Sequence, residues 1–87
     1  MTTTTKTPED SIVVLTTAVG EDLVIRSNPT DKDVKGFAAE HQRRAENGEA
    51  DGSQGNVAQP IYTAKRYADE YSWLSGEEPI GDLKHLL

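Results

Sequence analysis

Eighty-seven residues allow one domain at most, and a chain of that size is marginally stable by itself. It has no cysteine, one Trp and one Phe, so neither disulfides nor thiolate metal ligands reinforce a small core. A net charge of −6 argues against a protein that coats nucleic acid or an anionic membrane through bulk electrostatics; it permits attraction to basic partners, with solubility as the simpler role of the acids.

Residues 1–10 read as a flexible, Thr-rich lead that ends in Pro8 and the Glu9-Asp10 pair. The domain proper is expected over 11–87. Ser11–Ala18 is β-branched almost throughout, and Leu23–Ser27 repeats the pattern in shorter form. Between them, Gly20 and Glu21 suit a two-residue type II′ turn, so a β-hairpin is expected. That turn would pair Ala18 with Leu23, Thr16 with Ile25 and Val14 with Ser27. One face would carry Ile12, Val14, Thr16, Ala18, Leu23 and Ile25. The other would carry Val13, Leu15, Thr17, Val24 and Arg26. Both faces are largely apolar, where a solvated face would alternate cleanly. An isolated hairpin is barely stable in water. Cover on both sides, or extension of the sheet across a subunit boundary, is therefore expected. Val13, Leu15 and Val24 are the candidate self-association residues of a homodimer.

Asn28-Pro29 breaks the second strand. Thr30-Asp31-Lys32-Asp33 then starts a helix with a near capping box. Val34, Phe37, Ala38, His41 and Ala45 line one side of that helix, and Asn47-Gly48 ends it. Glu49–Asn56 reads as a polar loop. Pro60 suits the first position of a second helix running to Ser75, with Gly76 as its stop. At roughly 100° per residue, Ile61, Ala64, Tyr67, Ala68, Tyr71 and Leu74 share one side. Tyr62, Arg66, Asp69 and Trp73 fall in a stripe on the other. Asp82 could cap a last short turn, Leu83–Leu87. The expected fold class is α+β: an N-terminal β-hairpin, two α-helices and a short C-terminal tail. The helices would pack on one hairpin face through Val34, Phe37, Ile61, Ala64 and Tyr71.

Catalytic and ligand motifs are absent from the sequence. The serines lack the G-x-S-x-G context, and the glycines form neither a P-loop nor a dinucleotide fingerprint. His41 lies on an inferred core face, and Glu40 and Arg44 complete no triad with it. Two histidines without cysteine do not make a zinc site. Asp51-Gly52-Ser53 lacks the alternating acids of a calcium loop. No catalytic residue, metal or cofactor is expected. Arg43-Arg44 and Lys65-Arg66 read as solvated charge paired with nearby acids. Leu83-Lys84-His85-Leu86-Leu87 fits L-x-x-L-L, a groove-binding pattern, but so short a match is frequent by chance, and a last turn folded onto the second helix is the favoured reading.

No run is long and apolar enough to span a bilayer, and the lead lacks the apolar segment of a secretory signal. A cytoplasmic protein is the expectation. The function expected is non-enzymatic: a small acidic binding or regulatory protein that occludes or bridges a protein partner with a basic surface. Tyr62, Arg66, Asp69 and Trp73 are the candidate partner-binding residues, because Tyr, Trp and Arg dominate interface hot spots. The alternative is an acidic mimic of nucleic acid, of the kind carried by mobile elements, that blocks a DNA- or RNA-binding machine. Steep salt dependence would distinguish the mimic from an aromatic anchor.

Overall fold

The computed structural model describes residues 9–50 and 57–87. Its elements run β1 (Ile12–Thr17), β2 (Asp22–Ile25), α1 (Asp31–Glu46), β3 (Ile61–Tyr67), α2 (Glu70–Leu74) and β4 (Gly81–Asp82), then a 3₁₀ turn at Lys84–Leu86. The strands form one antiparallel sheet in the order β2-β1-β3-β4. The chain is mixed α and β, with one long helix.

β1 lies inside the sheet and is buried on both faces, Val13 and Leu15 on one and Ile12 and Val14 on the other, which is why its run Ile-Val-Val-Leu does not alternate with polar residues. β2 lies antiparallel beside it, in a register different from the expected one. Val13 faces Ile25, Val14 faces Val24, Leu15 faces Leu23 and Thr16 faces Asp22. The connection is longer than a two-residue turn. Gly20 N–H donates to Thr17 O at 3.0 Å, and Thr17 N–H donates to Glu21 O at 2.9 Å. Within the loop Gly20 takes the left-handed conformation, at φ 82°, where glycine alone carries no Cβ penalty. Val13 and Leu15 thus share a face with Leu23 and Ile25. Ile12, Val14 and Thr16 share the other with Asp22 and Val24.

α1 starts as its sequence dictates. Thr30 Oγ1 accepts from Asp33 N–H at 3.1 Å, and the Asp33 carboxylate accepts from Thr30 N–H at 3.0 Å. Both bonds favour the ionised form and hold the Asp33 carboxyl below the usual carboxylate range. Val34, Ala38 and His41 turn inward, whereas Phe37 remains 42% exposed. On the surface, Glu40 accepts from both Arg43 and Arg44, which lower its carboxyl to about 2.

The helix expected over Pro60–Ser75 does not form. Its first half is strand β3, which pairs with β1, and only Glu70–Leu74 is helical. The helix-like spacing comes from a register irregularity at Thr16/Thr17, where Thr16 faces Thr63 and Thr17 faces Ile61. Tyr62 is the extra residue, as in a β-bulge. Ile61 and Ala64 therefore both face the core although three residues apart, and that spacing mimics a helix. Asp69 caps α2, accepting from Ser72 N–H at 2.7 Å.

The core is Val13, Leu15, Val34, Ala38, Ile61, Ala64 and Leu83, flanked by Leu23, Ile25 and Leu86. It fills the space between α1 and one sheet face. Of the residues expected to pack the helices, Val34, Ile61 and Ala64 do so. Tyr71 is 74% exposed. The tail returns along β3, with Ile80 N–H donating to Arg66 O and Leu83 N–H to Ala64 O. Leu83 and Leu86 of the L-x-x-L-L segment thereby join the core.

The polar loop is closed at its base by an Ala50–Val57 bridge and by Ala58 N–H donating to Glu49 O at 2.8 Å. The lead 1–8 and the loop residues 51–56 lie outside the described residues.

Candidate functional site

The four residues of the expected helical stripe are not brought together on one helix. Tyr62 stands on β3 at the bulge, 60% exposed. Arg66 is on the same strand but points inward and is 8% exposed. Asp69 is the cap of α2, and Trp73 is half-buried within α2. The stripe is thus corrected for the same reason as the helix.

Arg66 serves the fold. Its Nη1 donates to Ser11 Oγ at 2.9 Å and to Asn28 Oδ1 at 3.4 Å, and Nη2 donates to Pro29 O. Asp31 stands 4.0 Å away as its nearest carboxylate. Ser11 Oγ in turn donates to Asn28 Oδ1 at 3.0 Å, and Asn28 N–H donates to Ser11 O at 2.8 Å. This network holds Ser27 and Asn28 in consecutive left-handed conformations, at φ 68° and 50°. Such backbone is unfavourable for residues with a Cβ. The buried guanidinium thus fixes the sharp entry from β2 into α1.

His41 is likewise structural in its contacts. Nε2 lies 2.9 Å from Gln59 O. A carbonyl only accepts, so Nε2 carries the proton. The ring stacks on Phe37 with centroids 6.3 Å apart. Next to it, Gln42 bonds Ile61 twice: Nε2 donates to Ile61 O and Oε1 accepts from Ile61 N–H, each at 3.1 Å. The side-chain amide stands where a neighbouring strand would, ahead of the short β4.

The self-association candidates divide between the faces. Val13 and Leu15 are 0% exposed beneath α1, and Val24 lies on the outer face. A surface made of all three is therefore corrected, and Val24 alone of the three is available to another chain.

What the tertiary structure assembles, and the sequence did not show, is an open hollow where β2 ends beside α2. Glu9, Asp10, Ile12, Arg26, Ser27, Asp69, Glu70 and Tyr71 line about 430 Å³. Ile12 and Arg26 come from the outer sheet face by register. Asp69 and Glu70 come from the start of α2. Arg26 Nε donates to Glu70 Oε1 at 2.8 Å across the hollow, which lowers the Glu70 carboxyl and raises the guanidinium. The Ser72 amide holds Asp69 below the usual range. Four carboxylates against one guanidinium leave the hollow strongly negative at neutral pH, beside an exposed tyrosine ring. Each acid is an ordinary surface residue in sequence. Only Asp69 belonged to the expected site.

Among the described residues there is no group of three His, Asp or Glu able to hold a metal ion. No helix among them is long and apolar enough to cross a membrane. Comparison with known proteins found no family model, no curated relative and no solved structure that matches this chain.

Proposed function

We propose that the protein is a non-enzymatic binding module of the cytoplasm that holds a basic segment of a protein partner in the hollow beside α2. The observation that carries this reading is the juxtaposition of Glu9, Asp10, Asp69 and Glu70 with Ile12 and Tyr71. A lysine or arginine side chain fits that chemistry. Its charge would lie among the carboxylates and its cationic head against the exposed Tyr71 ring. Regulation would follow from occlusion of the partner's basic segment.

Calorimetric titration with a Lys/Arg-rich peptide and with its acidic counterpart tests the reading. The basic peptide should bind and the acidic one should not. Tyr71→Ala should weaken binding about 2- to 30-fold, the range of a cation–π contact of about 0.5–2 kcal/mol. Asp10→Asn should weaken it as well. Equal binding of both peptides, or indifference to Tyr71 and Asp10 together, overturns the assignment of this hollow. Binding that ignores Tyr71 but collapses with added salt would favour the acidic nucleic-acid mimic instead.

A further inference from the structure

β2 is the last strand of the sheet, so one of its edges has no strand beside it among the described residues. We infer that this edge pairs with β2 of a second copy, antiparallel and centred on Val24, to give one sheet continuous across a two-fold axis.

The hydrogen-bond phase of the ladder supports this centre. Thr17 N–H donates to Glu21 O, in the same register as the Leu15–Leu23 and Val13–Ile25 pairs. Directly opposed pairs alternate between bonded and non-bonded. Leu23 and Ile25 thus spend their amides and carbonyls on β1. Those of Asp22 and Val24 point out to the free edge, and Arg26 continues the alternation. Around a two-fold axis at Val24, Val24 meets Val24 of the second copy as a bonded pair. Asp22 and Arg26 then meet each other's counterparts, also as bonded pairs.

The side chains agree with the backbone. On the outer face the centred register places Asp22 opposite Arg26 on both sides of the Val24 contact, giving two opposite-charge cross-strand pairs. On the inner face, Leu23 opposes Ile25, and both already pack against the core. A centre at Asp22 would oppose two aspartates. A centre at Leu23 would set Asp22 against Val24. Directly opposed residues share a face, so α1 of both copies lies on the same side of the joined sheet. The edge carries neither the lysine nor the proline that commonly blocks such pairing. Arg26 keeps Glu70 within reach, because both stand on the outer side.

Sedimentation velocity of the whole chain over a concentration series tests the inference. The wild type should pass from monomer to dimer. Asp22→Arg and Arg26→Asp should each be monomeric alone, and an equimolar mixture of the two should dimerise. Val24→Pro should also be monomeric. Its N–H points away from β1, so circular dichroism should show an unchanged fold. A wild type that stays monomeric into the millimolar range overturns the inference. So does a dimer that survives both charge reversals, or a mixture that fails to dimerise while each variant is folded.

Discussion

Arg66 Nη1 donates to Ser11 Oγ at 2.9 Å, joining the third strand to the residue that precedes the first. The same guanidinium reaches Asn28 and Pro29, so one side chain ties together β3, the start of β1 and the entry to α1. Replacing Arg66 with Met should cost about 3 kcal/mol in urea unfolding, the scale of hydrogen bonds to a charged donor. Arg66→Lys should recover little, because an ammonium lacks the planar fork that spans these acceptors. A near-neutral Arg66→Met would show that the entry to α1 is fixed by other contacts.

Gln42 makes a narrower test, since its amide both donates to and accepts from Ile61. Gln42→Glu keeps the shape, loses the donor and sets a carboxylate against the Ile61 carbonyl. The expected loss is about 1–2 kcal/mol, larger at neutral pH than in acid, where protonation restores a donor. Equal stability of the two proteins at neutral pH would refute the role given to this amide.

The tail contributes to the core through Leu83, with Leu86 packed against it. Leu83→Ala should cost about 2–4 kcal/mol, as for a buried leucine. Ile80→Ala, three residues earlier and 52% exposed, should stay within about 0.5 kcal/mol. Thermal or urea unfolding of the two variants separates these outcomes.

Gly36 lies on the exposed side of α1, and a Cβ built there meets nothing within 4 Å. Gly36→Ala should raise stability by about 0.5–1 kcal/mol through lower unfolded-state entropy and better helix propensity. A drop would mean that this side of the helix is occupied.

Acid should destabilise the fold through specific carboxylates. Asp33, Glu40, Asp69 and Glu70 are all held below their ordinary values by hydrogen bonds. A depressed carboxyl stabilises the folded state above its unfolded pKa and loses that contribution as pH falls. For Glu40 the loss runs from 4.5 down to about 2. The melting temperature should therefore decline across that interval, and Glu40→Gln should make the decline shallower. Solvent exposure of the Glu40 ion pairs keeps the difference small. A Glu40→Gln curve parallel to wild type would show that the Arg43 and Arg44 pairs contribute nothing.

Local signals in the sequence sufficed for the strand character of Ile12–Thr17 and Asp22–Ile25 and for α1 from its Thr30 cap to Asn47. β-branched runs and a capping box act over a few residues, so they can be read without knowing the distant neighbours. β3 was not legible in this way. Its bulge gives inward residues the spacing of a helix, and Ala64, Lys65 and Arg66 favour helix by propensity. Only the free places beside β1 make the segment a strand, and a neighbour from forty or more residues earlier leaves no local trace. The same limit hid the register of β2, the burial of Arg66 and the acidic hollow. The hollow draws Glu9, Arg26 and Glu70 from three separate stretches. Their approach is a product of the sheet order β2-β1-β3-β4, which long-range pairing decides.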